Sequence, residues 1–251
     1  MAVPGAVTDT TTINTSDIRV GDNEAYLARA VGDGPRGGVI VIHEAFGMVE
    51  HINDLARRFA AAGYNTIAPN LYTRGGSPDP SDFPAVFKAM FAKSDAETVA
   101  DLDAAAAYLR GLDNANGKIG VIGFCSGGRQ TLLYACSSQA PDAAVPCWGG
   151  FVERATADAE TNAARPTPVR DLAANASCPI FLAGGGDDQN PSPEVLRDVA
   201  ARLEAAGKDV TLKIWDGVGH AFLADYRPSY AEKEAHELWA DVITFFGTHL
   251  A

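Results

Sequence analysis

The chain has 251 residues, of which 47% are hydrophobic, and a formal net charge of −12. That length suits one large α/β domain able to bury a core without disulfides or metals, and the composition excludes a disordered chain. The acidic balance repels nucleic-acid phosphates and anionic headgroups, so neither nucleic acid nor a membrane surface is an expected partner.

Residues 1–12 (MAVPGAVTDTTT) hold no basic leader and no apolar segment, so no signal peptide is expected. Residues 39–43 (VIVIH) form a short β-branched apolar run, the pattern of a strand buried on both faces. Ile52, Leu55, Ala56, Phe59 and Ala60 then follow one helical face, and Gly63 stops the helix. Residues 65–68 (NTIA) read as a second strand closed by Pro69, and residues 73–84 as a Gly/Pro/Ser/Asp loop. Val86, Phe87, Met90 and Phe91 suggest a short helix, and Ser94-x-x-Glu97 has the form of a capping box opening a longer one.

Asn116-Gly117 marks a turn before residues 118–123 (KIGVIG), the next buried strand. Residues 143–148 and 179–183 read as two more strands, separated by a polar, irregular surface excursion over 151–177. Ser192-Pro193 opens a helix whose apolar stripe is Val195, Val199 and Leu203. Residues 209–215 (DVTLKIW) are the last expected strand. Ser229-x-x-Glu232 is expected to cap the final helix, which buries Ala235, Leu238, Trp239, Val242 and Phe246. Strands alternating with helices imply one domain over residues 1–251, a mostly parallel central sheet with helices on both faces. Ligands of such sheets bind beyond the carboxyl ends of the strands.

Three of those strand ends carry reactive side chains. Gly123-Phe124-Cys125-Ser126-Gly127-Gly128 joins a strand to a helix as a G-x-nucleophile-x-G elbow, with cysteine as the nucleophile. The turn is sharp enough to need small flanking residues, and the thiol lies at a helix N-terminus, whose partial positive charge favours thiolate. A buried, inert cysteine is the ordinary alternative, and Cys136, Cys147 and Cys178, which lack such a setting, are assigned to it. The four cysteines form no CxxC pair or metal-ligand spacing, so no metal and no cofactor is expected, and a reducing, cytoplasmic setting is.

The second strand end, Gly184-Gly185-Gly186-Asp187-Asp188, offers a carboxylate, for which Asp187 is the expected triad acid. The third, Gly217-Val218-Gly219-His220, offers a general base. The order nucleophile, acid, histidine is that of the α/β-hydrolase fold.

From about residue 26 to residue 246 the sequence resembles the dienelactone hydrolase (carboxymethylenebutenolidase-like) family. The matching pieces are His43-Glu44-Ala45-Phe46-Gly47, Leu71-Tyr72-Thr73-Arg74, the cysteine elbow, Gly186-Asp187 with Pro191, and Gly219-His220-Ala221-Phe222. The resemblance implies an α/β-hydrolase fold and a small-molecule ester or lactone substrate cleaved through a thioacyl-enzyme on Cys125. It implies that Glu44 helps activate the thiol, and that the backbone N–H groups of Ala45 and Ser126 form the oxyanion hole. It implies further that Arg74 binds a substrate carboxylate, while Ala224 stands where the family's dienelactone hydrolase has a second arginine. The same residues would equally serve a carboxylesterase or thioesterase for another acyl group. A non-catalytic binding protein on the same scaffold and a redox role for Cys125 are the readings from other classes.

Overall fold

The computed structural model describes residues 12–32 and 34–251, so most of the stretch read above for a leader lies outside the described residues. Eight strands form one sheet in the order β1-β2-β4-β3-β5-β6-β7-β8. β3 (Arg36–Ile42), β4 (Asn65–Pro69), β5 (Ala115–Phe124), β6 (Ala143–Cys147), β7 (Ile180–Gly185) and β8 (Val210–Trp215) are mutually parallel. β1 (Ile13–Val20) and β2 (Asn23–Ala30) add an antiparallel hairpin along β4. This is the expected α/β-hydrolase architecture, extended by a hairpin.

Alternation along the central strands divides the core in two. Ile40 and Ile42 of β3 and Ile119 and Val121 of β5 face the layer of α3 (Asp95–Arg110), α4 (Ser126–Ser137) and α5 (Pro193–Ala205). Val39, Val41, Ile122 and Phe124 face α1 (Glu50–Ala61) and α6 (Glu232–His249). Ser94 caps α3 through Oγ to the Glu97 N–H, 3.1 Å, and Ser192 caps α5, with Pro193 at its first position. The expected Ser229 cap is absent: α6 starts at Glu232 after an uncapped Ala231, and the Ser229 hydroxyl donates to Ala221 O instead.

The excursion over 151–177 is not the surface feature its polarity suggested. Val152, Ala155, Arg165, Val169 and Ala173 are all buried, and a 3-10 helix spans Val169–Asn175. Arg165, 1% exposed, donates to Ala155 O and to Met90 O of α2 (Phe83–Ala92), tying the excursion to that helix. Among the described residues no helix is long and apolar enough to cross a membrane.

Candidate active site

The parallel strands deliver their following residues to one edge of the sheet. Beyond β5 the chain turns into α4 through Cys125, whose φ of 56° and ψ of −118° are costly for a side chain with a Cβ. The neighbouring glycines make that turn possible. A Cβ on Gly127 would stand 2.4 Å from Ile42 O and one on Gly128 2.2 Å from Cys147 O, so α4 enters against bare backbone at the ends of β3 and β6. The Cys125 N–H is held by Cys147 O at 3.1 Å, and the partly exposed thiol is left at the positive end of α4. Cys136, Cys147 and Cys178 are buried, and burial raises all three thiols, Cys136 and Cys178 to about 12.

His220 follows β8, and its imidazole interacts electrostatically with the Cys125 sulfur. Its Nδ1 lies 2.8 Å from Oδ2 of Asp188. Burial opposes the imidazolium, but the Asp188 carboxylate and Cys125 outweigh it and lift the ring to about 10. The acid beside the imidazole is therefore Asp188, which corrects the expectation of Asp187. The physical reason lies in the turn after β7. The Asp187 N–H is anchored on Val218 O at 2.9 Å with its side chain in solvent, while the next side chain points inward. Asp188 is 4% exposed, and its Oδ1 accepts the Asn190 N–H at 2.9 Å, leaving Oδ2 for the imidazole. The sequence offered two adjacent carboxylates; only the burial alternation across the turn separates them.

Glu44 lies beyond β3, 2% exposed, and Arg227 Nη2 stands 2.7 Å from its Oε2. Burial raises the Glu44 carboxyl, with Arg227 and His220 pulling the other way. The Arg227 guanidinium lies over the rings of Phe46 and Tyr226, 4.8 and 5.1 Å from their centroids. The family resemblance points to position 224 for an arginine, and Ala224 is apolar and buried. The turn closed by Arg227 N–H on Ala224 O brings the arginine three residues later back to the site. That return is not visible in residue spacing.

Arg74 is elsewhere. Its Nη1 and Nη2 clasp both carboxylate oxygens of buried Asp101 at 2.9 and 2.8 Å, and Lys93 Nζ adds a third contact at 2.6 Å. The fork expected to hold substrate is paired with Asp101 in this structure.

The Ala45 and Ser126 N–H groups have no protein acceptor among the described residues. The Tyr72 hydroxyl donates to Ala45 O at 3.1 Å and neighbours both Cys125 and Ser126. Ala45 packs with Val86, Met90, Phe46, Phe91 and Phe151, an apolar wall beside the thiol's helix.

The sequence profile of the dienelactone hydrolase family matches residues 24–250. A relative from Escherichia coli (strain K12), named "Putative carboxymethylenebutenolidase", is 38% identical over 230 residues, covering 90% of this chain and 83% of the relative. A Bradyrhizobium relative, named "Probable 2-oxo-3-(5-oxofuran-2-ylidene)propanoate lactonase", is 28% identical over 227 residues, 90% of this chain and 89% of its own. The crystal structure named "Putative Dienelactone Hydrolase" from Klebsiella pneumoniae superposes with a TM-score of 0.85 at 34% identity, covering 94% of this chain and 98% of the other. The elbow at Cys125, the strand order and a match across nearly the whole described chain agree: the chain is a hydrolase and belongs to the dienelactone hydrolase family.

Proposed function

We propose that the enzyme hydrolyses a carboxylate-bearing ester or lactone through a thioester on Cys125. The observation that carries this is the His220–Asp188 hydrogen bond, with the Cys125 sulfur of the strained turn interacting with the same imidazole. Asp188 faces Nδ1, so Nε2 is the nitrogen that holds the proton exchanged with the thiol, and the lift of the ring to about 10 favours that proton on nitrogen. The sulfur attacks the carbonyl carbon, and the oxygen that becomes negative is received by the Ala45 and Ser126 N–H groups. The C–O bond to the leaving alkoxide then breaks, and His220 returns the proton to it. Water, deprotonated by the same imidazole, cleaves the thioester and restores the thiol.

Arg227 is the cation next to this centre. A substrate carboxylate competing with Glu44 for that guanidinium frees a buried, already proton-seeking carboxylate that interacts with His220. Activation of the thiol thereby follows substrate binding. The carboxylate in the name of the Bradyrhizobium relative's substrate agrees with this reading.

The test is acylation by p-nitrophenyl acetate, with the acetyl group located by mass spectrometry. Acetyl on Cys125 and its loss in Cys125→Ala are expected. Iodoacetamide is expected to label Cys125 ahead of the three buried thiols. Retained turnover in Cys125→Ala sinks the assignment.

A further inference from the structure

His43 stands at the end of β3, 2% exposed, and takes no part in the chemistry described so far. Its Nε2 lies 3.2 Å from the Leu71 backbone nitrogen, which can only donate, so Nε2 carries no proton. The proton of the neutral ring is then on Nδ1, which donates to Glu44 O at 2.7 Å. The second lone pair of that carbonyl accepts the Gly47 N–H at 3.1 Å, in a turn that Gly47 enters with a φ of 77°. Both acceptor directions of Glu44 O are therefore filled. In a trans peptide the N–H points opposite the C=O, so fixing Glu44 O fixes the direction of the Ala45 N–H. Tyr72, whose ring packs on His43 at 4.8 Å, pins the next carbonyl, Ala45 O, from its hydroxyl. Leu71 and Tyr72 follow β4, so this chain of contacts ties the loop after β3 to the neighbouring strand end.

We propose that His43 is a positioning residue that aims the Ala45 N–H at the carbonyl oxygen of the substrate, through the hydrogen-bond chain Leu71 N–H to His43 to Glu44 C=O. The proposal rests on the oxyanion role given above to Ala45. Burial holds the ring near a pKa of about 4, which keeps it neutral, and the tautomer fixed, at neutral pH.

The experiment compares two reactions of the same thiol. Acylation by p-nitrophenyl acetate forms an S–C bond at a carbonyl, expels p-nitrophenolate, and passes through an oxyanion. Alkylation by iodoacetamide forms an S–C bond at a methylene, expels iodide, and has no oxyanion. In both, His220 holds the proton exchanged with the thiol. His43→Leu is expected to slow acylation by roughly 10–100-fold, less than outright loss of an oxyanion donor because Gly47 still holds the carbonyl. Alkylation is expected to stay within about threefold of wild type, since the Cys125–His220 contact is untouched. His43→Gln, whose amide presents a donor and an acceptor on one carbon, is expected to restore much of the acylation rate.

Equal slowing of both reactions, or unchanged acylation in His43→Leu, overturns the proposal. A wild-type enzyme that forms no acetyl-Cys125 overturns the reading of the site, and the proposal with it. A measurement on the wild type decides the matter if the leucine variant does not fold. Nitrogen NMR of His43 is expected to give a protonated Nδ1 and an unprotonated, hydrogen-bonded Nε2, and a protonated Nε2 overturns the proposal.

Discussion

Asp188 uses one carboxylate oxygen for the Asn190 N–H and the other for His220 Nδ1. An amide there could offer its NH2 to Nδ1, which would place the ring proton on Nε2 and leave no base facing the thiol. Asp188→Asn is therefore expected to lower kcat by about 10³–10⁴-fold, as loss of the orienting carboxylate does in other triads. Asp187→Asn, altering an exposed side chain, is expected to stay within about threefold of wild type. Steady-state kinetics with one ester on both variants checks this, and the reverse order of damage returns the role to Asp187. The two arginines separate in the same way. Arg227→Met removes the cation paired with Glu44 and is expected to raise KM for an anionic lactone by about 10–100-fold, the scale of one or two charge-assisted hydrogen bonds. A neutral ester of similar size should be far less affected. Arg74→Ala should not discriminate between the two substrates, because its fork is filled by Asp101. A selective loss in Arg74→Ala would return the anion to that side of the site.

At the scale of elements, the strand-to-helix crossing at Cys125 tolerates no added atom. Gly127→Ala would push a Cβ against Ile42 O and His43 O, two backbone atoms that cannot rotate away. We expect a stability loss of about 1–3 kcal/mol, typical of overpacking, and at least a tenfold lower kcat as Cys125 and Ser126 move off β3. Gly247→Ala, in α6 with nothing near its added Cβ, is the control and should stabilise by about 0.5–1 kcal/mol. Urea unfolding and one rate per variant check both. The central strands were legible because burial on both faces writes continuous runs such as VIVI and IGVI. The hairpin β1–β2 escaped reading for the opposite reason: β1 lies at the sheet edge and exposes most of its residues, so INTSDIRV has no buried run. Cys125 and His220 were legible from their place after strands. Asp188 and Arg227 depend on which way a turn sends a side chain, which neither periodicity nor spacing encodes. The buried Arg165 hid in the same way, since a charged residue in a polar stretch reads as solvated until its acceptors, two backbone carbonyls, are in view.

For the whole molecule, three histidines set how stability follows pH. An unfolded imidazole titrates near 6.5. His220, lifted to about 10, contributes stability that is complete below 6.5 and is lost as pH rises through 10. His43 and His51 act in the other direction. Burial lowers each to about 4, and for His51 the nearby Arg58 and Arg227 add to burial against the pull of Asp225. Between 6.5 and 4 the unfolded chain takes up protons that these folded rings refuse, so stability falls as pH falls through that interval. Each ring contributes on the order of 1–2 kcal/mol of that loss between pH 7 and pH 5. Carboxylates held low by partners, such as Asp101 with Arg74 and Lys93, act further down, below their unfolded values near 4. Glu44, raised by burial, works in the opposite direction from these two histidines, so the total alone does not isolate them. A single variant does. His51 packs on Tyr226 at 5.1 Å, and His51→Phe keeps a ring there while removing the titrating group. Urea unfolding at pH 7 and pH 5 is expected to show a smaller loss for His51→Phe than for wild type, by about 1–2 kcal/mol. An equal loss in both proteins would mean that His51 is protonated in the folded state at pH 5, held charged by Asp225 at 3.4 Å against the cost of its burial.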